Sequence, residues 1–141
     1  MKSLKRKNHL SLASIYRFIN RCRLEVKKCE EAGAHLACLI LFGSALEYIQ
    51  HAWIRVYPDI VYKEGKKLTD YWSLKTLNDL AYRNGFFDRQ AYLASERIRK
   101  TRNMVHPNWY AGRKPLRFSK TIVNKMTTDI EIVMESIRNN L

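Results

Sequence analysis

Apolar residues return at steps of three and four at both ends of this chain, and that spacing constrains its fold most. Leu12, Ile15, Ile19, Cys22, Val26 and Cys29 form one stripe; Ile122, Met126, Ile130, Val133, Ile137 and Leu141 form another. A helix brings residues three and four apart onto one face, whereas a strand needs a period of two. Each stripe is therefore the buried side of an amphipathic helix. Opposite the first stripe stand Arg17, Arg21, Arg23, Lys27 and Lys28. Five glycines and three prolines in 141 residues are too few for a turn-rich β fold. The length suits one domain with one core.

Local signals divide the chain into five helices. Residues 1–9 read as a loose basic arm carrying Lys2, Lys5, Arg6 and Lys7, ahead of one helical domain over residues 10–141. Ser11 is a plausible N-cap for helix one, which runs to about Ala32 before Gly33. Helix two spans roughly Ala34 to Val56, is apolar nearly all round in its first half, and stops at Pro58. Asp59 to Trp72 reads as a loop with one helical turn. Helix three follows the N-cap Ser73, turns Leu74, Leu77, Leu80 and Ala81 inward, ends at Arg83, and is closed by Asn84-Gly85. Helix four follows Asp88 and ends at His106. After a loop from Pro107 to Phe118, helix five is capped by Ser119. The predicted fold is an all-α bundle.

Charge and cysteine usage bound the function. Twenty-six Lys and Arg against 13 Asp and Glu give a net charge of +13, which favours a polyanionic partner, nucleic acid above all. Cys22 and Cys29 lie seven residues apart on one helix, about 10.5 Å along its axis and too far for a disulfide. With no CxxC pair and no shared ligand spacing among His9, His35 and His51, no metal site and no cofactor are expected. The cysteines read as small buried residues of a reducing compartment. No apolar stretch of a secretory signal follows the basic N-terminus, and the run Leu36 to Leu46 is too short to cross a bilayer before Glu47. A cytoplasmic protein without a membrane segment is expected.

The stretch "ERIRKTRNMVHPNWY", Glu96 to Tyr110, carries the chemistry. At about 100° per residue, Ala91, Ala94, Thr101 and Val105 fall within about 60° of Ile98, which makes that the core face. Arg99 and His106 lie about 20° apart on the polar side, with Asn103 about 40° further round and Tyr92, Ser95 and Glu96 on the same side. Arg102 flanks the core stripe, so it must snorkel outward or find an acidic partner, for which Glu47 in apolar helix two is the candidate. Pro107 disfavours the α conformation in the residue before it, placing His106 at a helix C-terminus. There the dipole favours the imidazolium and Arg99 opposes it. Such a histidine can move protons at neutral pH, while a guanidinium clamps phosphate oxygens. The set suits metal-free RNA cleavage, and a two-fold dimer would double it in one cleft. Trp109 and Tyr110 can stack on bases, and Arg113, Lys114 and Arg117 can extend a basic rim for nucleic acid.

"RKTRNMVHP" resembles the signature of the HEPN superfamily (higher eukaryotes and prokaryotes nucleotide-binding): an arginine, four to six residues, then a histidine. Arg99-x6-His106 meets the outer limit of that spacing; Arg102-Asn103-x-x-His106 has the familiar Arg-Asn pair and is one residue shorter. "AHLACLILFGSALEYI" is similar to the family's central helix with its embedded glutamate. "SLKTLNDLAYRNGFFD" is similar to the short helix before the motif helix. The resemblance covers roughly Ala34 to Leu141. It implies a five-helix HEPN-like bundle, a two-fold homodimer and a metal-independent endoribonuclease, such as a toxin or phage-defence effector with an antitoxin or defence partner. Its catalytic residues would be drawn from Arg99, Arg102, Asn103 and His106. Other members of the superfamily bind nucleotides, nucleic acid or proteins without cutting, which is the alternative.

Overall fold

In a computed structural model the apolar stripes close on the apolar helix between them. The structure describes residues 2–105 and 119–140, with side chains over 13–105 and 119–139. Among these residues there are six helices and no strand: α1 (Lys2–Glu31), α2 (His35–Val56), α3 (Pro58–Lys63), α4 (Leu74–Arg83), α5 (Arg89–Met104) and α6 (Lys120–Asn140). The all-α expectation is met, with α3 added to the five helices the sequence announced.

α2 is central. It packs against each of the other five helices, and Cys38, Leu39, Phe42, Leu46, Ile49 and Ile54 are buried along it. Burying one such aliphatic or aromatic side chain contributes about 1.5–3 kcal/mol, which a helix apolar on several sides collects repeatedly. Its mean hydropathy reaches 1.2 over an 18-residue window, enough by composition to cross a membrane, and 56% of that window is buried within the bundle. α1 lies antiparallel to α2 across a tight link. Gly33 (φ 72°) makes the turn, and the Ala34 N–H returns to the Cys29 carbonyl at 2.7 Å. From the far end, α6 buries Val123, Met126, Ile130, Val133, Met134 and Ile137.

Three N-caps predicted from the sequence have the required hydrogen bond. Ser73 Oγ accepts from the Thr76 N–H at 3.1 Å, Asp88 Oδ1 from the Ala91 N–H at 2.8 Å, and Ser119 Oγ from the Ile122 N–H at 3.4 Å. Between α4 and α5, Phe86 stacks on Trp53 of α2 with ring centroids 4.6 Å apart, which fixes the entry of α5.

Three boundaries differ from the sequence reading. α1 begins at Lys2 rather than near Ser11, so residues 2–9, read as an arm, belong to the helix. No glycine or proline interrupts residues 2–31, and nothing obliges the helix to stop at Ser11. Pro58 ends α2 and also opens α3, because its fixed φ suits a first helical residue. α5 ends at Met104 with Val105 as C-cap, two residues before the predicted His106 terminus. The Val105 N–H bonds the Arg102 carbonyl at 3.1 Å, a last turn tightened to the i→i+3 pattern.

Candidate functional site

The site is built on α5, held between α2, α4 and α6. Facing α6, Arg97 donates through Nε and Nη2 to Asp129 Oδ1 at 3.1 and 2.8 Å, and Asp129 is buried. The side read from the sequence as polar is largely covered between Tyr92 and Arg99. Ser95 and Glu96 are buried and Tyr92 is half-buried, because α4 covers them.

This covered side holds a polar network. Arg99 donates to Glu96 Oε2 through Nε at 2.8 Å, with Nη2 at 2.6 Å. Asn78 of α4 reaches Glu96 Oε1 at 3.4 Å, and Gln50 of α2 donates to Asn78 Oδ1. Because ionised Glu96 only accepts, Asn78 must turn its NH2 toward it and its carbonyl toward Gln50. That order leaves Gln50 Oε1 as a buried acceptor without a partner among the described residues. At the rim, Lys75 lies 3.2 Å from the Tyr92 hydroxyl, 3.1 Å from Asp79 and 3.5 Å from Glu96. The Tyr92 hydrogen bond, then that of Asp79, pushes the Lys75 pKa above the usual lysine value.

Arg99 is therefore a brace, not an outward cation: its side chain is 20% exposed and that of Glu96 is 12%. The expectation that Arg99, Asn103 and His106 look outward together is corrected for Arg99, which is turned onto Glu96.

Arg102 is placed differently. Its guanidinium crosses to α2, with Nη2 2.7 Å from Glu47 Oε1, the partner anticipated for it. Its stem lies over Gly43, one turn earlier on α2. A Cβ added there would come within 2.9 Å of Arg102 Cδ. Gly43 thus admits the arginine and Glu47 aims it. Both charged groups keep about a third of their side-chain surface exposed, 37% and 32%, so the guanidinium remains reachable by a ligand. Asn103 follows on an exposed position at the end of α5. His106, Trp109, Tyr110, Arg113, Lys114 and Arg117 lie outside the described residues.

The sequence reading missed Gln50 and Asn78, both buried. Their signal was present: an amide inside an apolar helix and another on the inward side of α4 must find each other or remain unsatisfied. What the fold and site define is an all-α bundle whose motif helix presents an arginine oriented by a glutamate from the central helix. No family model, curated protein or solved structure matches the chain.

Proposed function

We propose that the protein is a HEPN-type, metal-independent endoribonuclease, working as a two-fold dimer in which the ends of two α5 helices share one cleft. The observation that carries this reading is the Arg102–Glu47 arrangement: an arginine of the Arg-Asn-x-x-His stretch, part exposed, held at 2.7 Å by the glutamate of the central helix. In the reaction His106 takes the proton from a ribose 2′-OH, and the oxygen attacks the adjacent phosphorus. The bond from phosphorus to the 5′-oxygen breaks, and that oxygen receives a proton from the second copy of His106. A 2′,3′-cyclic phosphate and a 5′-hydroxyl result. Arg102 meets the charge gathering on the phosphoryl oxygens, while Asn103 orients phosphate or imidazole. Arg99 supports α5 through Glu96. The +13 net charge suits RNA as the substrate, and a toxin or defence effector with a cognate partner protein suits the activity.

A second reading, a HEPN module that binds RNA or a nucleotide without cutting, is favoured by one observation: the arginine with the family's longer spacing, Arg99, is engaged by Glu96. Incubation with single-stranded and structured RNA in EDTA separates the two. Cutting that persists in EDTA and disappears in His106→Ala supports the nuclease. Binding without cutting supports the module, and cutting that needs metal or survives His106→Ala overturns the nuclease reading.

A further inference from the structure

Between α1 and α2 runs a groove of about 720 Å³, lined in part by Glu47, the glutamate that holds Arg102. Its walls are Phe18 of α1 and, on α2, Ser44, Glu47, Tyr48, His51 and Arg55. On α2, Glu47, His51 and Arg55 follow at intervals of four, about 6 Å of axial rise each and rotated about 40° per step. The row begins at the glutamate holding Arg102 and winds toward α1, so the groove continues from the motif arginine along the exposed side of α2.

The chemistry of this surface is that of a nucleotide chain. Phe18 and Tyr48 stack with centroids 4.1 Å apart and are each half-buried, giving an aromatic wall on which a base can lie. Arg55 is exposed and His51 half-buried, and both can donate to phosphate oxygens. Glu47, the one acidic residue among the described lining, already faces Arg102. Arg21, exposed three residues beyond Phe18, adds charge at the opposite end.

We propose that this groove is an RNA-binding subsite, in which Arg55 and His51 hold the phosphodiester backbone and the Phe18–Tyr48 wall takes a base, leading a single strand to Arg102. The proposal rests on the RNA reading of the motif above, and its test is arranged to fail separately. Full-length His106→Ala protein in EDTA is titrated against a fluorescein-labelled 12-nucleotide RNA by anisotropy, with and without Arg55→Ala or His51→Gln. Arg55→Ala is expected to weaken binding about three- to tenfold and to reduce the salt slope by about one. His51→Gln is expected to weaken binding several-fold, while Arg89→Ala, at the other end of α5, leaves it unchanged. Photocrosslinking of RNA carrying 5-iodouridine is expected to label Phe18, Tyr48 or His51, a readout that no folding defect can mimic. Unchanged affinity and slope in both groove variants, crosslinks confined elsewhere, or equal displacement by poly-glutamate overturns the subsite. Wild-type protein that leaves RNA intact while binding still depends on Arg55 overturns the nuclease and keeps the subsite. Cutting lost in His106→Ala but unaltered, with unaltered binding, in Arg55→Ala and His51→Gln does the reverse.

Discussion

Gly43→Ala is the substitution whose outcome the packing of α5 on α2 constrains most tightly. The new Cβ would stand 2.9 Å from Arg102 Cδ and 3.1 Å from Cγ. Carbon atoms rest about 3.5–4.0 Å apart, so the arginine stem must retreat by roughly half an ångström to one ångström. A guanidinium 2.7 Å from Glu47 cannot keep its place while its stem withdraws. Three effects compete. Alanine favours the helix over glycine by about 1 kcal/mol. Overpacking a close contact costs about 1–3 kcal/mol. An ion pair between groups about a third exposed, screened by solvent, is worth no more than about 1 kcal/mol. The sum is a destabilisation of roughly 0–3 kcal/mol, centred on about 1.5. Urea denaturation followed by circular dichroism, in a cycle with Glu47→Gln and Arg102→Gln, measures it. The pair should couple by about 0.3–1 kcal/mol in the parent and not measurably in the Gly43→Ala background. On the proposed nuclease reading, RNA cleavage should fall at least about tenfold, the equivalent of about 1.4 kcal/mol of lost transition-state stabilisation. A Gly43→Ala protein that is more stable by about the full helix-propensity gain, with coupling and cleavage intact, would show that Arg102 is not seated on Gly43.

The other predictions concern the buried side of α5 and the thiols. Glu96→Ala strands Arg99 and removes the acceptor for Asn78, so it should cost about 2–4 kcal/mol in urea unfolding. Glu47→Gln, at the part-exposed pair, should cost no more than about 1 kcal/mol; equal costs would contradict the difference in burial. Burial pushes the Cys22 and Cys38 thiols above their usual pKa, and Cys38 Sγ also donates to the Val26 carbonyl at 3.5 Å. Both should remain protonated near pH 8 and take up iodoacetamide slowly in the native protein, while half-buried Cys29 reacts first and urea makes the three alike. Mass spectrometry reads the order of labelling, and early modification of Cys22 or Cys38 would contradict the packing.

Much of the fold is legible in the sequence, because helix stripes, caps and breakers act over short distances. Ile15, Ile19, Cys22 and Val26 are buried as their spacing required, and so are Leu74, Leu77, Leu80 and Ala81. Ser73 and Asp88 cap as their position before an apolar run announced. The candidate site is legible only in part. The Arg102–Glu47 pair could be anticipated because each lies on or beside an apolar face and needs an opposite charge. Arg99 could not be placed the same way. Helical numbering gives its direction from the axis, not what stands in that direction.

By itself the sequence determined that the chain is helical, where most of its helices start and stop, and which faces are apolar. These follow from hydrogen bonding and side-chain spacing within about four residues. The tertiary structure alone decided that α4 covers the polar side of α5, turning Ser95, Glu96 and Arg99 inward, and that Gly43 and Glu47 admit and aim Arg102. It also set Phe18 beside Tyr48 and opened the groove that carries His51 and Arg55. Those outcomes depend on how helices far apart in the chain are oriented as they bury a shared core. A periodic pattern tells which side of a helix is buried, and only packing tells against what.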